Sequence, residues 1–397
     1  MLNGISPQPD QDVRPSGDAA EAGLAAFAVP DRAAHLLDEA IAGIARGIEV
    51  LAVVPLGGER ALALEAFAGA GSAGTPHSLI VACDIPETAA DPRRGGRLAE
   101  VHRHTRARML RHVPADAEFE VVRRCATGPA VLDLLDALGD PTLTAAVREG
   151  VRAFAASCAM PFPVIRMLGT EQPGFRARVA LVDHPVHGRS VCKIFRPGAM
   201  AFFARELHAR TALADQPVVP ELLDHGSNWL LTPEYHDTRT HLARALPGVA
   251  GMHQLRRDAA RELARFAAVL HDRGLFVLDL SPQNVVSDPV AGLKVLDLEF
   301  VIPYADYPVP APPASASWSV RGIPAELRTI DVPQLALTRK VGNSVFHPAV
   351  AGLPVERLLE PSRRGDGARR AATQWGWYAT LATAGRLHAV VARRGRL

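Results

Sequence analysis

The stretch LFVLDLSPQNVV, residues 275–286, and the shorter LKVLDLEF, residues 293–300, decide how this chain is read. Both are apolar runs of the kind that forms buried strands. Yet the first holds Asp279 and Asn284, and the second holds Asp297 and Glu299. A buried carboxylate is costly unless something pairs with it. Ordinary turn chemistry explains Asx residues in loops, but not two acids inside aliphatic runs. Asp288-Pro289 and Gly292 lie between the runs and supply a turn. A short hairpin over VVSDPVAGLKVL would then return Asp297 beside Asn284.

With 397 residues the chain exceeds one ordinary core, which predicts two or three domains. Apolar content of 48% and charged content of 22% describe a soluble globular protein. A formal net charge of +2 gives no field that would draw nucleic acid. Cys83, Cys125, Cys158 and Cys192 are scattered without CxxC spacing, which predicts a reducing, cytoplasmic setting with no disulfide frame and no zinc knuckle. Residues 1–30 lack the pattern of a signal peptide and read as a mobile tail. No apolar run is long enough for a transmembrane helix, which needs about 18 residues. Only Lys193, Lys294 and Lys340 among 44 basic residues are lysine. In a chain that uses arginine wherever it will do, a retained lysine marks a site for a compact ammonium, or it is chance retention.

Residues 31–157 alternate in character: helical DRAAHLLDEAIAGIARG, strand-like IEVLAVVPL, helical GERALALEAFAGA, strand-like SLIVACDI, a basic amphipathic helix RRGGRLAEVHRHTRARMLRHV, strand-like FEVVRR, then one or two helices to Ala159. A β-α-β-α order predicts a small α/β domain with a parallel sheet. MPFP, residues 160–163, reads as a linker. Beyond it, VIRMLGTEQPGFRARVALVDHPVHGRSVCKIF alternates like antiparallel strands joined by Gly turns. MAFFARELHARTALA is helical in pattern, NWLLTPEY strand-like, and RDAARELARFAAVLHDRG an amphipathic helix closed by Gly274. The Pro-rich residues 304–317 read as loop, and TQWGWYATLATAGRLHAVVARR as a final helix.

Asp279-Leu-Ser-Pro-Gln-Asn284 has the D-x-x-x-x-N spacing of a kinase catalytic loop. With Asp297 and Lys193 in order around it, the region from about 164 to 335 resembles the protein-kinase-like fold. The resemblance implies an α+β bilobal domain, with an antiparallel-sheet N-lobe over 161–235 and a helical C-lobe over 236–397. It implies that Asp279 accepts the proton of an attacking hydroxyl, and that Asn284 and Asp297 hold magnesium against the phosphates of ATP. Lys193 in SVCKIF matches the phosphate-pairing lysine of the third strand, and Glu206, 13 residues on, its partner carboxylate. Gly169 and Gly174 stand where the nucleotide-covering loop belongs. Glu234 and Tyr235 stand at the hinge that offers backbone groups to adenine, and Asp331 matches the helix Asp that braces the catalytic loop.

The departures narrow the expectation. Val277 and Leu278 replace the His and Arg of protein kinases, which removes the usual response to activation-loop phosphorylation. Ser281 replaces a lysine, and Asp297-Leu298-Glu299 replaces Asp-Phe-Gly. This D-x-E-F pattern is similar to choline and methylthioribose kinases, and more loosely to lipopolysaccharide sugar kinases. Glu299 then serves metal, acceptor or a nearby arginine. The resemblance therefore implies transfer of a phosphoryl group from ATP to a small molecule, sugar or glycan. A Ser/Thr protein kinase and a non-catalytic nucleotide-binding scaffold remain as alternatives. The pairs Arg363-Arg364, Arg369-Arg370 and Arg393-Arg394 read as a solvated basic surface, with anionic glycans or peripheral membrane association as the second reading.

Overall fold

The computed structural model of the chain describes residues 21, 23–45, 47–68, 75–84, 94–113, 121–168, 176–245, 253–277, 280, 282–303, 345 and 348–394. The chain divides into two compact units, Met1–Met200 with Ser227–Trp229, and Ala201–Gly226 with Leu230–Leu397. The sequence boundaries near 157 and 235 both fall inside these units.

The first unit is built around β1 (Leu24–Pro30), all seven residues of which are buried. Successive side chains of a strand point to opposite faces. Leu24, Ala26 and Ala28 accordingly join one apolar core with Leu79, Val81, Leu134 and Phe154. Ala25, Phe27 and Val29 join another with Ile44, Ile80, Val101 and Met109. Around it lie β2 (Glu49–Pro55), β3 (Pro76–Cys83) and β4 (Arg123–Thr127), in the order β2-β3-β1-β4. Helices α1 (Leu37–Ala45), α2 (Glu59–Ala68), α3 (Arg94–Met109), α4 (Ala130–Ala137) and α5 (Pro141–Ser157) cover the sheet. α1 and α3 line one face, and α2, α4 and α5 the other. Gly139, at φ +72°, ends α4, and Asp140 caps α5 by accepting from Leu143 N–H at 3.0 Å.

Two expectations are corrected here. Every strand pair in this sheet is antiparallel, not parallel. And residues 24–30, expected in a mobile tail, form the central strand. The errors share a cause. AGLAAFAVP is Ala-rich and carries no polar alternation, because both its faces are buried. Helices on both faces give continuous apolar strands, a texture usually met in parallel sheets.

The same unit carries an antiparallel meander, as expected: β5 (Val164–Leu168), β6 (Ala177–His184) and β7 (Gly188–Phe195). Gly188, at φ +63°, turns β6 into β7 and sets Lys193 opposite Val179. Asn228 anchors to its end: Phe195 N–H donates to Asn228 O at 2.7 Å, and Asn228 Nδ2 donates to Phe195 O and Ser157 O. None of the four cysteines forms a disulfide, and burial pushes the Cys158 thiol up to about 11 and the Cys192 thiol up to about 12.

The second unit opens with α6 (Met200–Ala212), then β8 (Asp224–His225), β9 (Trp229–Pro233) and the pair β10 (Leu242–Ala245) and β11 (His253–Leu255). The core helix is α7 (Arg257–Asp272), closed by Gly274 at φ +68°. It buries Leu263, Phe266, Ala267 and Leu270 against Leu275, Val295, Leu298 and Val301. β12 (Leu275–Val277) pairs antiparallel with β15 (Val301–Pro303), and between them stands the hairpin β13 (Val285–Asp288) and β14 (Gly292–Val295). The long α8 (Asp366–Arg394) ends the described chain. No helix among the described residues is long and apolar enough to cross a membrane.

Asp366 fastens the start of α8. Its Oδ2 accepts from Arg363 N–H at 2.9 Å and from Arg257 Nη2 and Arg357 Nη2 at 2.7 Å each. The Arg363 amide, then Arg357, hold its carboxyl below the usual range. A depressed carboxylate stabilises the fold above its unfolded-state pKa, and that contribution fades as pH falls through the folded value. Asp366→Asn is expected to lower the urea midpoint at pH 7, with the difference from the parent closing below about pH 3.9; equal midpoints at pH 7 would dismiss this anchor. Phe27→Ala is expected to cost about 3–5 kcal/mol in chemical denaturation, as for a buried aromatic in a central strand.

Candidate functional site

The site grows from the β13–β14 hairpin. Asp288 Oδ1 accepts from Val290 N–H and Ala291 N–H at 2.8 Å each, and Gly292, at φ +77°, completes the turn. The Ala291, His236 and Val290 amides hold the Asp288 carboxyl below its ordinary value. The strands close in register, Val285 opposite Val295. Beyond them Leu296 N–H donates to Asn284 O at 2.8 Å. The hairpin thus returns the chain to Asn284 one residue before Asp297, as its turn residues imply. A tight turn follows, with Val301 N–H donating to Leu298 O at 3.0 Å, and buries Leu298, Glu299 and Phe300.

Helix α6 is tied to this turn by three side chains. Arg205 Nε donates to Glu299 O at 3.2 Å. The Arg205 guanidinium lies 4.5 Å from the Phe202 ring centroid, and Phe202 meets Phe300 edge-on at 5.7 Å. Arg210 reaches furthest. Its Nε and Nη2 donate to Glu206 Oε1 at 3.1 and 2.6 Å, its Nη2 also to Leu296 O at 2.7 Å, and its Nη1 to Pro220 O at 3.4 Å.

Three carboxylates converge as a result. Oxygens of Glu206, Asp297 and Glu299 lie within 4.8 Å of one another, with both glutamates buried and Asp297 half-buried. At an effective dielectric near 20, two such charges repel by about 3–4 kcal/mol. Arg210 offsets one charge of the three. The donors are all hard oxygens, a set that suits Mg²⁺, Mn²⁺ or Ca²⁺ rather than a thiolate-seeking metal. The chemistry of the donors therefore fits a divalent cation.

The expected residues fare unequally. Asp297 and Glu299 come together, and Asn284 shares their end of the hairpin through its backbone. Glu206 lies in the carboxylate cluster and pairs with Arg210 of its own helix. Lys193 belongs to the first unit, half-buried, its Nζ 5.0 Å from the Phe195 ring centroid. Glu234 and Tyr235 follow β9 and are half-buried; burial pushes the Tyr235 phenol up, and Lys294 Nζ lies 5.6 Å from its ring centroid. Asp279, Gly169, Gly174 and Asp331 lie outside the described residues. Arg210 was missed, although E-x-x-x-R is the i, i+4 spacing that pairs charges along a helix.

No family model matches the chain. No curated protein matches it in sequence.

Glu299→Gln removes one of the mutually repelling charges while keeping the shape. In a titration it is expected to weaken Mn²⁺ binding about 10–100-fold. A variant with parental Mn²⁺ affinity would show that Glu299 is no ligand.

Proposed function

We propose that the chain is a phosphotransferase that moves the γ-phosphoryl group of ATP to a hydroxyl of a small molecule, sugar or glycan. The observation that carries this reading is the convergence of Asp297, Glu299 and Glu206 at the end of the hairpin that begins at Asn284. Glu206 and Glu299 are buried beside Asp297, and their oxygens form a hard donor set that suits a hard cation. The D-x-x-x-x-N spacing of Asp279 and Asn284, in the run that leads into this hairpin, supplies the remaining parts of a phosphoryl-transfer site.

On this reading Asp297 and Glu299 hold magnesium, with Asn284 beside them and Glu206 closing the set. Magnesium, when bound, neutralises charge on the nucleotide phosphates and on the oxygens of the transition state. Asp279 orients the acceptor hydroxyl and takes its proton as the new O–P bond forms and the bond to the β-phosphate oxygen breaks. Lys193 neutralises phosphate charge as a point cation. Arg210 keeps Glu206 in place without sharing in the chemistry. Positioning and fixed charge supply most of the acceleration.

Incubation with Mg²⁺, labelled ATP and mixed acceptors tests the proposal. Label on a sugar or amino alcohol is the expected result. Label on protein acceptors would point instead to a protein kinase, and tight ATP binding without transfer to a nucleotide-binding scaffold. Asp279→Asn is expected to lower transfer by at least about 100-fold with ATP affinity nearly intact, whereas Asp297→Asn weakens Mg²⁺-ATP binding itself. Lys193→Arg is expected to impair transfer strongly, since a planar fork does not replace a compact ammonium.

A further inference from the structure

One residue of the second unit stands in a backbone conformation that its side chain makes costly. Arg239 has φ +54°, and it is the one residue other than glycine at positive φ among the described residues. The left-handed region brings Cβ against the following carbonyl oxygen. Glycine takes it freely and asparagine tolerates it, but a long side chain is strained there.

The surroundings hold that strain in place. Asp237 Oδ1 accepts from Arg239 N–H at 2.9 Å and from Ser287 N–H at 3.1 Å. Thr238 N–H and Oγ1 both donate to Ser287 O, at 2.9 and 2.8 Å. His241 N–H donates to Ser287 Oγ at 3.1 Å, and His236 N–H to Asp288 Oδ2 at 2.8 Å. The connector between β9 and β10 is thus bonded to the end of β13 on both sides of Arg239.

The side chain at 239 contributes little to this arrangement. It is 74% exposed, and its one ion pair among the described residues, Nε to Asp237 Oδ2, is 3.8 Å long. An exposed pair of that length is worth little. The turn itself uses only the Arg239 amide, which asparagine or glycine would supply with less strain. Strain kept where the side chain adds so little to folding points to a use outside folding. Position and chemistry say which. Ser287 lies three residues after Asn284, so the turn is bonded to β13 about 10 Å along the strand from the end where Asn284 stands. That end is acidic, with Glu206, Asp297 and Glu299. The turn instead presents Arg239 with exposed His236 and Thr240 near it in the chain. Its two acids, Asp237 and Asp288, are already engaged by backbone amides. A guanidinium fork is shaped for an oxyanion, phosphate or carboxylate, held through two bonds at once.

We propose that Arg239 is an acceptor-binding residue: its fork takes a phosphate or carboxylate group carried by the acceptor, which makes the acceptor an anionic molecule. The assignment to the acceptor rests on the phosphotransferase reading, in which the nucleotide phosphates lie at the metal end of β13. The oxyanion site itself does not.

The test uses the full chain without metal, titrated calorimetrically with inorganic phosphate and with acetate, and unfolded in urea in parallel. The parent is expected to bind at least one of these oxyanions. Arg239→Asn and Arg239→Gly are each expected to weaken that binding about 10–100-fold, the size of a lost bond to a charged group. Arg239→Lys, which keeps the charge without the fork, is expected to fall between them and the parent. Arg239→Asn and Arg239→Gly are also expected to raise the urea midpoint, because each relieves the left-handed backbone. With Mg²⁺ added, Arg239→Asn is expected to bind ATP as the parent does. No oxyanion binding by the parent, parental oxyanion binding by Arg239→Asn, or an unchanged or lowered midpoint would each overturn the site. ATP binding that weakens as much as oxyanion binding would give the fork to the nucleotide and overturn its assignment to the acceptor. A parent that holds an oxyanion through Arg239 but never binds Mg²⁺-ATP would remove the phosphotransferase reading, and the acceptor with it, while the oxyanion site stands.

Discussion

The acidic corner of the second unit depends on the buried Arg210 guanidinium. Glu206 is fully buried, and a buried carboxylate needs a partner in the chain itself. Arg210 provides it with two donors and spends its others on the carbonyls of Pro220 and Leu296. The charge partner of Glu206 is therefore also the strut that holds the backbone next to Asp297. An ammonium could neutralise the charge but would not span these acceptors with a rigid fork. Because the strut is part of the chain, the fold itself gathers the three carboxylates, the preorganisation that a metal site would need.

What the sequence made legible was local. Asp288 and Gly292 announce the turn between β13 and β14, and the turn forms with them. Gly274 marks the end of α7. The acids in DLEF are conspicuous because aliphatic neighbours surround them. The parts that escaped depend on distance along the chain. Nothing near Leu24 or Ala25 signals pairing with Cys83 or Thr127. The i, i+4 spacing of Glu206 and Arg210 is visible, but the carbonyls that Arg210 also holds are tertiary partners. The sequence leaves Glu299 to metal, acceptor or arginine, and its neighbours Glu206 and Asp297 come from folding, not from spacing.

The scarcity of lysine takes on a structural side. Guanidinium groups repeatedly close several acceptors at once. Arg196 joins Glu49 to the end of α1, and Arg261 ties Leu358 O, Glu360 O and Ser362 together. Lys294 makes the simpler contact of a point charge, one bond to Pro217 O at 2.5 Å. Compositional bias and architecture thus point the same way: carbonyl-rich junctions in this fold are closed by forks.

The position of β1 bears on how the protein is made. It precedes the other strands in the chain, yet it occupies the middle of its sheet, between β3 and β4. Its partners lie about 60 and about 100 residues later, at Cys83 and Thr127. During synthesis the apolar segment 24–30 emerges long before either neighbour, with two unsatisfied edges and no face covered. A nascent chain of this protein must therefore keep this apolar segment unpaired through much of the first unit's translation, an interval in which a chaperone has most to protect.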